Sequence, residues 1–346
     1  MSDKPEIDTT EKTLDTKLEK IIADPSCNEF IIADAKDADM AFGIPSTGPA
    51  VDGRHPSLAQ YRQKMRDIVE QGIVDIVIMS ASNSEILAQE EGIYTDTAIT
   101  PAARANDTSD IWLARGSSYT DTASKPFRTA TLGHILSGQC KSPSRKYFAG
   151  ADLGLYSMTF NNNLEADIAS LAAFKEFRLE AEKKNFRYFL EVFAPNVDGA
   201  VADEQVGHFI NDNITRALAG VTKAGRPVFL KIPYCGPAAM EELVAYDPTL
   251  VPGILGGASG TTMDAFTLIG EAKKYGGRAA LFGRKINNAE DQLLMVENLR
   301  HVADGNMDAV EATKAYHAGL KEKGIAPFRD AEEDSKITSP ELQYLN

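Results

Sequence analysis

Short apolar runs alternate with longer amphipathic stretches along nearly the whole chain. Glu29–Asp34 (EFIIAD), Gly72–Ser80 (GIVDIVIMS), Ile99–Ala105, Gly150–Phe160 and Phe186–Phe193 (FRYFLEVF) have the length and continuity of strands buried on both faces. Three more such runs lie within Pro227–Ile286: PVFLKIPYCGP, PGILGGASGTT and AALFGRKIN. Between the runs, Leu58–Gln71, Ser84–Gly92, Arg128–Ser137, Leu164–Lys184, Ala202–Gly225 and Asn288–Ala303 read as helices, as do the two spacers within Pro227–Ile286. Strand and helix alternate eight times without a break in composition. This predicts the α/β class and a (β/α)8 TIM barrel with N-terminal and C-terminal helical extensions.

The barrel is expected over residues 29–303. Thr9–Ala23 sets Leu14, Leu18, Ile21 and Ile22 along one helical face within an extension covering residues 1–28, and Asp308–Lys323 adds a helix within a C-terminal helix and tail covering 304–346. Asp107–Lys125, rich in Ser, Thr and Asp, is long for a loop in a compact domain. It reads either as a lid or as a loop carrying an extra strand around Ile111–Ala114.

The last three strands carry the chemistry. Lys231 stands between Leu230 and Ile232, inside an apolar strand. Burial without a partner is costly for an ammonium and favours the neutral amine, which can add to a carbonyl and form a Schiff base. A structural lysine paired with a carboxylate explains the position equally well. The next strand ends in Gly256, Gly257, Ser259, Gly260, Thr261 and Thr262, where glycines and a helix N-terminus can converge on an anion. The eighth strand ends in Gly283 and Arg284, whose guanidinium can fork two phosphate oxygens. Phosphate sites after the seventh and eighth strands recur in this barrel. Lysine strand, glycine strand and Gly-Arg strand in this order say more than any one of them.

KIPYCGP around Lys231, LGGASGTT from Leu255 and FGRKIN from Phe282 resemble the class I aldolases of the archaeal fructose-bisphosphate aldolase type, within the wider group that includes deoxyribose-phosphate aldolase. A weaker likeness extends from about residue 29 to 303. The resemblance implies that Lys231 is the Schiff-base lysine, that Gly256, Gly257, Gly283 and Arg284 hold a substrate phosphate, and that the protein is a homo-oligomer. It further implies reversible carbon–carbon cleavage of a phosphorylated sugar or keto compound without metal or cofactor. Ser259 belongs to the same glycine turn. Asn106 stands where the family's leucine-asparagine-glycine borders the substrate.

The acid/base groups depart from the family. Its aspartate-histidine-glycine after the first strand falls on MAFG here, with Ala41 and Phe42 at the first two positions. Its tyrosine after the fifth strand falls on Phe193, which cannot donate a proton. Asp34, Lys36, Asp37 and Asp39 cluster here, Asp34 or Asp39 could replace the missing carboxylate, and Asp34, directly after an apolar run, is favoured. A solvated acidic loop is the alternative for each. Glu191 in its apolar strand could pair with Lys231 or shuttle protons, and Tyr234 could donate one. The departures also leave open a related carbon–carbon lyase or transferase on another phosphorylated keto compound, or a sugar-phosphate sensor without turnover.

Composition narrows the setting. In 346 residues the formal net charge is −14, which disfavours nucleic acid and anionic membranes as partners. Hydrophobic residues make up 43%, enough for a sizeable core. Three widely spaced cysteines form no CxxC pair, as expected of a cytoplasmic protein. Cys235, four residues after Lys231, reads as a passive loop residue or a catalytic thiol. Five scattered histidines show no metal-type spacing. The polar N-terminus lacks the apolar core of a signal peptide, and no run reaches the length of a membrane span.

Overall fold

The computed structural model describes residues 10–140, 150–256 and 260–345. Its eight apolar runs pair as parallel strands: β1 (Ile31–Lys36), β2 (Ile76–Met79), β3 (Thr100–Arg104), β4 (Leu153–Thr159), β5 (Arg187–Phe193), β6 (Leu230–Ile232), β7 (Pro252–Leu255) and β8 (Ala279–Phe282). Each pairs with its neighbours in sequence order, and β1 closes the circle against β8. A closed barrel leaves no exposed sheet edge, and the crossover helices cover its outside.

Side-chain alternation splits the core in two. Ile31, Ala33, Ala35, Ile76, Ile78, Ala102, Leu155, Phe189, Phe229 and Leu281 fill the barrel interior. The intervening residues, such as Ile32, Val77, Ala103, Leu190, Leu230 and Ile254, pack outward against the helices. The N-terminal helix Thr13–Ala23 sets Leu14, Leu18 and Ile21 against the interior cluster and plugs its N-terminal end. Lys17 and Arg300 fasten this end by ion pairs of 2.8 and 3.3 Å to the buried Asp75, whose carboxylate also accepts from Ile32 N.

Helix ends follow local chemistry. Leu58–Gln71 starts at a reciprocal Ser57/Gln60 capping box and ends at Gly72, whose φ of 73° suits glycine. Leu164–Lys184 starts on the Asn163 side chain and ends at left-handed Asn185. The first strand lies two residues later than the apolar run suggested, because Ala35 and Lys36 continue the pairing with β2.

The segment after β3 forms no strand at Ile111–Ala114. Its two ends, Asp107–Thr108 and Pro126–Phe127, form an antiparallel ribbon instead, and Ser109–Ile111 is a short 3-10 turn. Between them Trp112 packs on Tyr119 and Phe127, with ring centres 4.3 and 5.0 Å away. Ser124 Oγ and Thr159 Oγ1 donate to the two oxygens of Asp110, and Leu113 N donates to Ala41 O at 2.9 Å. The segment is therefore a fixed roof over the C-terminal end of the barrel.

Candidate active site

Strand register creates the site. Ser157 on β4, Glu191 on β5 and Lys231 on β6 are successive register partners, and all three face the interior. Gly253 on β7, the next partner of Lys231, adds no side chain to that layer. Lys231 Nζ lies 2.6 Å from Glu191 Oε1. Ser157 Oγ donates to Glu191 Oε2 at 2.5 Å. Arg104, at the interior end of β3, donates from Nη1 to Ser157 Oγ (3.0 Å) and from Nε to Asp37 (2.6 Å), and its Nη2 lies 3.5 Å from Glu191. Burial works against the Arg104 charge, but Asp37, Glu191 and Asp107 outweigh it and hold the guanidinium above its ordinary value.

These groups open into a cavity of about 160 Å³. Asp37, Arg104, Glu191 and Lys231 line it together with Gly256, Gly283 and Arg284, and Ile111 and Leu113 come from the roof. The Arg284 guanidinium stands 5.6 Å from the centre of the Phe42 ring, and burial lowers its pKa. A second cavity of about 420 Å³ lies beyond Arg284, with Lys285 and Arg329 in its wall. Burial pushes Lys285 down to about 8.

Several expected residues lie elsewhere. Asp34 lies on the outward-facing side of β1, fully buried against the helix layer, 3.0 Å from the equally buried Lys36 Nζ. The contact is close enough for an ion pair but is not aligned as a hydrogen bond. Burial raises the Asp34 pKa, with Lys36 opposing. Alternation along β1 is the reason: positions 33 and 35 face inward, 34 and 36 outward, and Asp37 is the carboxylate that reaches the cavity. Tyr234 belongs to the outward-facing core and meets Tyr344 OH at 2.8 Å, with its own hydroxyl pushed up to about 12 by burial. It does not line the Lys231 cavity.

Asn106 does not line the cavity either. Its side chain copies a strand by accepting from Ser157 N (2.6 Å) and donating to Ser157 O (2.7 Å), so it positions Ser157. Cys235 is exposed on the loop after β6 and is absent from the cavity lining.

Gly256, Gly283 and Arg284 do share the cavity with Lys231. Gly256 N, however, donates to Leu281 O at 2.9 Å, and a Cβ there would meet the Phe282 ring at 2.2 Å. Packing and barrel pairing thus explain this glycine. Gly257 and Ser259 lie outside the described residues. The helix after β7, Thr262–Lys274, does not turn an open N-terminus to a ligand at its first turn. Thr261 N donates to Asp264 and Thr262 N to Asp334, each at 2.8 Å. The C-terminal segment is clamped there too, since Thr338 N, Thr338 Oγ1 and Ser339 N all donate to Asp264.

From sequence Asp37 reads as one member of an acidic loop, and neither Arg104 nor Ser157 is assigned to the site. The available signal was the period of two: once Lys231 and Glu191 face inward, Ser157 follows from the Leu153–Leu155–Ser157 alternation, and Arg104 from Ala102. Among the described residues, no group of three or more His, Cys, Asp and Glu side chains is arranged to hold a metal ion, and no helix is long and apolar enough to cross a membrane.

Asp107, at the foot of the roof, is buried and pushed up to about 6 by desolvation, with Arg104 opposing. The folded protein then holds this proton more tightly than the unfolded chain. Its contribution to stability therefore falls as pH rises from about 4 to 6. Asp107→Asn is expected to flatten that slope, worth up to about 3 kcal/mol. Urea unfolding of both proteins from pH 4 to 7 measures the difference.

The fold is the closed eight-stranded parallel β/α barrel. No family profile and no curated protein sequence matches the chain. Among solved structures, an archaeal fructose 1,6-bisphosphate aldolase superposes with a TM-score of 0.57 at 13% identity, over 84% of this chain and 99% of that one. A second archaeal fructose-1,6-bisphosphate aldolase, with its catalytic lysine covalently bound to the carbinolamine intermediate of the substrate, gives 0.56 at 14% identity over 84% and 100%. A Corynebacterium glutamicum protein gives 0.57 at 16% identity over 85% and 94%. At these identities the likeness establishes the shared barrel.

Proposed function

We propose that the chain is a class I aldolase in which Lys231 forms a Schiff base with a phosphorylated sugar or keto compound and carries out reversible carbon–carbon cleavage. The observation that carries this reading is the buried Lys231 amine, 2.6 Å from Glu191, in a cavity shared with Gly283 and Arg284. The carbonyl chemistry of the barrel neighbours supports it.

Glu191 takes a proton from the Lys231 ammonium, and the amine adds to the substrate carbonyl. Glu191 then returns the proton to the carbinolamine hydroxyl, which leaves as water. The iminium nitrogen accepts the electron pair of the breaking carbon–carbon bond. The β-hydroxyl gives its proton to Asp37, which faces the cavity in place of Asp34, and an aldehyde departs. Protonation of the enamine and addition of water release the ketone and the amine. Ser157 and Arg104 hold Glu191 Oε2, leaving Oε1 for the lysine. Arg284 is the group suited to a phosphate.

Borohydride added with a panel of keto and aldehyde phosphates is expected to leave one reduced adduct, mapped by mass spectrometry to Lys231. An unmodified chain across the panel defeats the reading. Phe42 and Phe193 in the cavity wall favour a substrate other than fructose bisphosphate as the second form of this reading.

A further inference from the structure

The wall of the Lys231 cavity is chemically divided. Its polar groups converge on the lysine: Arg104 joins Asp37 and Glu191, and Glu191 joins Lys231. Arg284 shares the wall with Gly256 and Gly283, and its guanidinium faces the Phe42 ring. Much of the remaining wall is hydrocarbon, with Phe42, Phe193, Ile111, Leu113, Leu255 and Leu281 as its larger members. The cavity has a volume of about 160 Å³. The roof that sets this volume is held by the Trp112 cluster and by Leu113 N on Ala41 O.

We infer that the ketone released from Lys231 after cleavage is a short compound with one anionic group and an apolar, unhydroxylated flank, and that the substrate is not a polyhydroxylated bisphosphate. The inference rests on the Schiff-base reading of Lys231. A ligand hydroxyl that leaves water needs a partner, and phenyl, isobutyl and sec-butyl groups offer none. A second phosphate inside the Lys231 cavity would need a cation besides Arg284, and Lys285 and Arg329 line the neighbouring cavity instead. Arg104, also in the wall, is held by Asp37 and Glu191. Pockets of this kind discriminate by moderate factors, because adding a hydroxyl to a ligand in an apolar pocket costs about 10²-fold.

Two four-carbon ketones of equal length and fixed open-chain form test the flank: 2-oxobutyl phosphate and its dihydroxylated counterpart, erythrulose 1-phosphate. Fructose 1,6-bisphosphate tests the size, and 4-oxohexanoate tests whether the anion is a carboxylate or a phosphate. Each is added to the intact protein with borohydride, and the fraction modified at Lys231 is read by mass spectrometry. The expected result is at least tenfold more adduct with 2-oxobutyl phosphate or 4-oxohexanoate than with erythrulose 1-phosphate or fructose 1,6-bisphosphate. Equal labelling by the hydroxylated compounds overturns the inference while leaving the Schiff base intact. Thermal shift with the same compounds and no borohydride reads the pocket without the chemistry. A larger rise in Tm with 2-oxobutyl phosphate than with erythrulose 1-phosphate, but no adduct from any compound, defeats the Schiff base and sustains the pocket assignment. No adduct and no difference in Tm overturns both.

Discussion

Lys231→Met is expected to abolish the borohydride adduct and to lower turnover by at least about 10⁴-fold, the scale seen when a covalent nucleophile is removed. Methionine fills similar volume, so the barrel interior keeps its packing. Glu191 loses its nearest cation but keeps Ser157 at 2.5 Å and Arg104 at 3.5 Å. The fall in stability should therefore stay below the roughly 3–5 kcal/mol typical of a buried pair broken on one side. Turnover at the unmutated rate with any keto phosphate would remove the lysine from the mechanism. Urea unfolding measures the stability change on the same preparation.

Glu191 carries the second large effect, and two substitutions separate its roles. Glu191→Gln keeps the shape and the acceptor oxygen but cannot take the lysine proton. A drop of about 10²–10⁴-fold in kcat is expected, in the range for a lost general acid/base, with slow adduct formation surviving. Glu191→Leu instead leaves the buried Lys231 ammonium without its carboxylate, at a cost of roughly 3–5 kcal/mol. Combining it with Lys231→Met should recover most of that stability, because the double variant buries no unpaired charge. An unchanged kcat in Glu191→Gln would mean that the carboxylate only neutralises the amine.

The barrel was legible because each strand is a continuous apolar run and each crossover an amphipathic one. Leu58–Gln71 and Leu164–Lys184 have the bounds read from sequence, since Ser57, Gly72, Asn163 and Asn185 mark their ends. The nearness of Glu191 to Lys231 was legible for the same reason, as adjacent strands with acid and base in similar positions. Asp34 was misassigned because an apolar run gives a strand's existence more firmly than its last residue, and the pairing of Ala35 and Lys36 settles which carboxylate faces inward. Tyr234 was misplaced because its neighbours, Tyr344 and the C-terminal segment, come from 110 residues away. The helix N-terminus after β7 read as an anion site, yet Asp264 and the distant Asp334 already satisfy its first N–H groups. The Asp334 contact leaves no local pattern, whereas Asp264 belongs to a Thr261/Asp264 capping box.

Asn106 has a bearing on how this protein could diversify. Backbone pairing between β3 and β4 stops near Arg104, and one amide side chain carries it further, so the main chain can leave the barrel wall without unravelling it. A two-stranded clasp then closes the excursion on itself before the chain rejoins the helical shell. The excursion thus behaves as an interchangeable cassette whose inward tips, Ile111 and Leu113, are remote from the residues that make the cylinder fold. Selection could rewrite those tips to suit new compounds while the amine beneath stays where the register sets it.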